Sequence, residues 1–271
     1  MNKTACIGRT LGRAAATALP AILLAAAGHG HFQVLLPAAD LVTDPAARTI
    51  NLNILFTHPM AGGPVMEMGR PDRFGVLVAG EHRDLLPTLE EKKVEGKTAF
   101  RASVTVREPG DHVFYLAPAP YWEPAERKMI VHYTKVVVNA FGDERGWDAL
   151  VGFPVEIDPL VRPYGLWTGN LFRGVVRQDG KPVPGAEIEV EYFNEAGDVE
   201  IPSDAFITQV IKADANGVFS YAMPKAGWWG FAALLDGDQP MENPDGTEVD
   251  VELGALMWVH ATDLEEAGGA R

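Results

Sequence analysis

The sequence predicts an all-β protein, two β-sandwich domains in tandem, the first Ig-like and the second prealbumin-like. Three observations predict it. Twenty prolines and 28 glycines break up the 271 residues. Apolar residues recur at period two, and helical periodicity is scarce. Turn pairs fall at short intervals between the apolar runs, as in sandwiches.

The elements follow in order. TINLNILFTHP puts Ile50, Leu52, Ile54 and Phe56 on one face. RFGVLVAGEHRDLL turns at Ala79-Gly80, and TAFRASVTVREPGDHVFYLAP turns at Pro109-Gly110. MIVHYTKVVVNAFG is a long strand rich in β-branched residues, and GDERGWDALVG is expected to hold a short helical turn. EIDPLVRPYG, with Pro159 and Pro163, reads as a linker. The first domain is therefore set at residues 31–158 and the second at 159–271. In the second, Asp179-Gly180 is a hairpin pair. Ile188, Val190 and Tyr192 then alternate with Glu187, Glu189 and Glu191, one face buried and the other solvated. DANGVFSYAMPKAGWWGFAALLDG repeats the strand–turn–strand form. With the G-x-P-x-x-G-A opening, this half resembles prealbumin-like and carboxypeptidase-regulatory-like sandwiches. DGDQPMENPDGTEVD is expected to be a solvated acidic loop.

Residues 1–30 read as a secretory signal peptide. Lys3, Arg9 and Arg13 precede an apolar run, Ala14 to Ala27, that ends in small residues. The run is too short to span a bilayer, which takes about 20 residues. The expected product is a soluble periplasmic protein with no membrane insertion. Its charge moves from −14 to −17, because the leader carries three bases and no acid. That balance argues against nucleic acid and anionic membranes as partners. Cys6, the sole cysteine, leaves with the leader. The remainder has no disulfide and no thiolate ligand.

Cleavage after Ala27, Gly28 or Gly30 leaves a free amine within three residues of an imidazole, in GHGHFQVLLP. Amine and imidazole together chelate borderline divalent ions such as Ni(II) or Cu(II). His58 ends a strand in FTHPMAGGPVMEMGRP, where Pro59 stops it, and Met60, Met66 and Met68 follow as soft donors or core fillers. If the strands leading from His31 and into His58 are antiparallel neighbours, the two imidazoles converge. In YWEPAERK, Tyr121 and Trp122 either wall a pocket that Glu123 enters as an oxygen ligand or pack across the sandwich edge. His132 lies mid-strand beside Tyr133, where a core role competes with ligation. His82 and His112 are expected to be exposed. No nucleophile elbow, P-loop or H-E-x-x-H pair is present, so no enzymatic activity is expected.

HFQVLLP, THPM…MEMGRP, APAPYWEPAERK-IVHYTKVVVNAFG, RPYGLWTGNLFRGVV and DANGVFSYAMPKAGWWGFAAL together resemble the exported nickel-uptake accessory family. Its members are described as additional periplasmic components of nickel ECF-type transporters (NikK-type). The resemblance spans about residues 31–263. It implies Ni2+ as cargo, with Co2+ or Cu2+ as alternatives, and an ECF-type permease complex in the inner membrane as partner. Related members carry a C-terminal membrane anchor that this sequence lacks. His31 and His58, then Glu123 and His132, are the matching candidate ligands. Two other classes stand beside this one. A metal-free adhesion or scaffold module would use YWEPAER and GWWGF to hold protein or glycan. A copper enzyme would brace its metal with an N-terminal His and a second His, and only the former favours it.

Overall fold

The computed structural model describes residues 30–265 together with Met1. The expected leader falls almost wholly in residues 2–29, which lie outside the described residues, as do residues 266–271. In chain order the strands are β1 (Phe32–Pro37), β2 (Leu41–Val42), β3 (Thr49–Thr57), β4 (Arg73–Val78), β5 (Glu81–Asp84), β6 (Glu90–Val94) and β7 (Lys97–Thr105). They continue as β8 (Gly110–Ala117), β9 (Tyr121–Glu123), β10 (Lys128–Ala140), β11 (Val155–Pro159), β12 (Leu166–Trp167), β13 (Leu171–Gln178) and β14 (Lys181–Pro182). The remainder are β15 (Glu187–Tyr192), β16 (Gln209–Lys212), β17 (Val218–Ala222), β18 (Gly227–Asp236), β19 (Met241–Glu242), β20 (Glu248–Val249) and β21 (Val251–Thr262). Among the described residues the helical pieces are three short 3-10 turns, and no helix is long and apolar enough to cross a membrane.

A long central sheet runs β16-β15-β18-β21-β10-β8-β4-β5. One four-stranded sheet, β1-β3-β7-β6, covers one of its faces, and a second, β11-β13-β14 with β17 on β13, covers the other. Alternation along the central strands feeds the two cores. On β21, Leu256 and Trp258 join Phe32, Ile54 and Phe100 in the first core. Ala255, Met257 and Val259 join Phe172, Phe219 and Ile157 in the second. A strand buried on both faces reads as a continuous apolar run, and this explains the VVV of β10.

The two halves are therefore not separated at 158/159 as the linker reading expects. β10 and β21 pair in parallel from Met129↔Val251 to Val136↔Trp258, so one sheet crosses the boundary. The physical reason is the open edge. Each half ends in a long strand whose unpaired N–H and C=O groups need partners, and each supplies the other's. The supposed linker is itself structural. Val155 and Ile157 are buried in β11, and Tyr164 is buried just beyond it. GDERGWDALVG forms turns rather than a helix. The acidic loop folds into the β19–β20 hairpin, where the Asn243 side chain accepts from the amides of Asp245 and Thr247. The expected hairpins at Ala79-Gly80 and Asp179-Gly180 form, with positive φ at all four residues, as type I′ turns require.

Candidate metal centre

β1 and β3 are antiparallel neighbours, with Phe32 opposite Thr57. Extending that register by one residue sets His31, just before β1, against His58, just after β3. Their ring centroids are 4.6 Å apart. The third wall is the β9–β10 hairpin. Glu123 closes it by accepting from Ala125 N through Oε1, and its Oε2 accepts from His31 Nε2 at 3.1 Å. Tyr121 turns inward, 5.0 Å from the Phe56 ring and 6.1 Å from His31. Trp122 packs instead beside Met129, Val131 and Val251. His31 and Glu123 keep 14% and 12% of their side chains exposed, so the pair is reachable from solvent.

His132 belongs to the same end but stands behind Phe56, with ring centroids 5.8 Å apart. It is buried and donates from Nε2 to Glu252 Oε1 at 3.2 Å. Its Nδ1 is buried and without a hydrogen-bond partner. The ring lies over Gly254, where a Cβ would come within 2.3 Å of His132 Cδ2. A cleft of about 370 Å³, lined by Gln33, Phe56, Met68, Tyr121, Trp122 and His132 among others, opens beside these groups.

Burial pushes the His31 pKa down. Glu123 works against that, and His132 adds to it. His31 is thus a neutral imidazole at neutral pH, the form that binds metals. Burial works to raise the Glu252 pKa, but the hydrogen bond and charge of His132, with Lys128 and His31, hold it below the ordinary range. Three carboxylates missed in the sequence lie near this end: Glu189 and Glu191 on β15, and Glu252 on β21. The Glu face of β15 is solvated only at its start, where Glu187 is exposed and pairs with Lys212. The segments before β1 and after β3 lie over the rest: Gly30 is against half-buried Glu189, and Glu191 is fully buried, accepting from Met60 N and Thr208 Oγ1.

The other candidates separate out. Met60, Met66 and Met68 are buried, and the latter two fill the first core. His112, expected on the surface, is buried and donates to Gly110 O. His82 is exposed and lies 3.2 Å from Tyr115 OH. Among the described residues no three His, Cys, Asp or Glu side chains are already arranged to hold a metal ion. The His31–Glu123 and His132–Glu252 hydrogen bonds occupy donor atoms, so any capture begins with side-chain rotation.

Burial lifts Glu191 to about 7, with the Thr208 and Met60 hydrogen bonds opposing it. Its folded pKa is above its unfolded value near 4.5, so its contribution to stability is full below about pH 4.5 and lost as pH rises through 7. A shift of that size corresponds to on the order of 3 kcal/mol. Urea unfolding of wild type and Glu191→Gln across this range checks it. The stability difference, mutant minus wild type, should grow toward about pH 8. A pH-independent difference would sink the assignment.

The chain is thus all-β, with two imidazoles and a carboxylate meeting at one sandwich end. The chain belongs to the family described as Domain of unknown function (DUF4198), whose model matches residues 28–237. No curated protein matches it. Among solved structures it is similar to the D0–D1 domain of intimin, at 12% identity over 84% of this chain and 99% of that one, with a TM-score of 0.24. It is also similar to trypsin-activated alpha-2-macroglobulin from Escherichia coli, at 11% identity over 85% of this chain and 16% of that one, with a TM-score of 0.27. The adhesin InvE from Yersinia pseudotuberculosis shows 12% identity over 82% of this chain and 58% of that one, with a TM-score of 0.25. Likeness at these scores carries no functional information.

Proposed function

We propose that the protein is an exported, soluble metal-handling accessory that captures Ni(II), with Co(II) or Cu(II) as alternative cargo. It presents the ion to an ECF-type importer in the inner membrane. One observation carries this reading: His31 stands 4.6 Å from His58, ring to ring, and 3.1 Å from the Glu123 carboxylate. Two imidazoles and a carboxylate suit a borderline divalent ion, and no thiolate stands among the described residues to draw Cu(I) or Zn(II). His132 and Glu252 are close enough to act electrostatically on His31, and they are the reserve ligands. A site that must break hydrogen bonds before it closes on metal also releases metal, as a carrier must.

Calorimetry with Ni(II) on protein that begins at His31 tests this. His31→Ala and His58→Ala should each weaken binding at least tenfold, about 1.4 kcal/mol. Blocking the amine with an N-terminal extension should weaken it as well. Undiminished nickel affinity in both variants would overturn the site and leave the metal-free scaffold reading in front.

A further inference from the structure

Glu189 has no role in the site described so far. Its Oε2 is buried and meets no hydrogen-bond donor. It presses on the backbone just ahead of His31. A Cβ built on Gly30 would lie 1.8 Å from Oε2, and 3.1 Å from the Phe32 ring. A buried carboxyl with no donor is costly as the anion unless a cation reaches it, and burial, with the charges of Glu191 and Glu252, lifts this one to about 7. Gly30 also binds the site from the other side, because its carbonyl accepts from His58 Nδ1 at 3.1 Å. In the uncut chain, then, one glycine blocks the carboxylate and holds an imidazole nitrogen.

We propose that hydrolysis of the Gly30–His31 peptide bond is the step that assembles the site, with Glu189 as the seat of the new N-terminal ammonium. Water adds across the amide. Its hydroxyl goes to the Gly30 carbonyl carbon, which leaves as a carboxylate, and protons go to the His31 nitrogen. That nitrogen is two bonds from Gly30 Cα, whose Cβ direction runs into Glu189 Oε2, so the positive charge is generated close to the unpartnered oxygen. The same cut removes the carbonyl that holds His58 Nδ1 and places beside the His31 ring an ammonium that becomes a donor once an incoming metal ion displaces its proton. The precursor is thus held in a form with one donor atom engaged and one donor not yet made. Its use for metal capture rests on the reading above, but the docking of the amine does not.

The test needs no metal. Two proteins are released from a cleavable fusion, one beginning at His31 and one at Gly28, each with Glu189 and with Glu189→Gln. Thermal unfolding is measured without metal. In the protein beginning at His31, Glu189→Gln should lower Tm by at least about 3 °C. In the protein beginning at Gly28, it should raise Tm or leave it unchanged, because there it removes an unpaired carboxylate. Acylation of the His31 amine should be at least tenfold slower with Glu189 present than in Glu189→Gln. Equal shifts in both proteins, or equal amine reactivity, would overturn the seat. Chain exported with its own leader should begin at His31 by intact mass, and a start at Gly28 or His29 would overturn the cut. Failure to bind Ni(II) would defeat the nickel reading and leave these results standing.

Discussion

Lys135→Ala should lower the unfolding free energy by about 3–5 kcal/mol, read by urea denaturation. Lys135 is 1% exposed, on the β10 face that feeds the second core. Its ammonium lies 2.6 Å from Glu156 Oε1. That oxygen also accepts from Val151 N, and Oε2 accepts from Gly152 N. Burial pushes the Lys135 pKa down, and the charge and hydrogen bond of Glu156 oppose it. Removing the lysine leaves a carboxylate in the core with two amide donors and no counter-ion. Replacing both partners at once, Lys135→Met with Glu156→Gln, should recover most of the loss, since an uncharged pair of similar volume avoids the desolvation of two ions and Gln keeps an acceptor for the two amides. A loss below about 1 kcal/mol in the single variant would mean that water reaches the pair.

Trp258→Ala is expected to cost a similar amount, about 3–5 kcal/mol. Trp258 is fully buried at the middle of β21. Its ring meets Phe32 and Phe193 edge-on at 6.1 and 6.0 Å, and its Nε1 donates to Gln33 O at 3.0 Å. Gly230 leaves it room, since a Cβ there would come within 2.9 Å of the indole. Trp258→Phe keeps most of the volume and loses the hydrogen bond, so it should cost only about 1–2 kcal/mol. Equal losses from the two variants would show that packing contributes little. Trp258 anchors the strand that follows His31, so if the proposed nickel site is right, nickel affinity should fall in Trp258→Ala even where the protein stays folded.

Local chemistry made part of this legible in the sequence. Two strand patterns and a proline stop place His31 and His58 at strand ends, but their meeting was legible only on the condition that the strands pair antiparallel, which the fold supplies. The hairpin pairs at residues 79–80 and 179–180 announce themselves through the φ angles they demand. Glu189, Glu191 and Glu252 were not legible. Alternating Glu and Ile describes a strand with two unlike faces, and only a covering layer decides whether the Glu face meets water. That layer comes from residues more than a hundred positions away. The parallel seam between β10 and β21 was hidden for the same reason. Each strand reads as well-formed by itself, and nothing local names its neighbour. His132 could be placed on a strand, but its pairing with Glu252 depends on that seam.

The seam also sets a timetable. β21 enters the middle of the central sheet, between β10 and β18, although it is the last strand in the chain order. A chain that emerges from its N-terminus first cannot complete either core until residues 251–262 arrive. Until then β10 shows a bare edge on the side where β21 will lie, and such edges recruit foreign strands. Contacts of such long sequence separation also close slowly. Staying unfolded until the whole chain is available is therefore the safer itinerary for this topology than early folding.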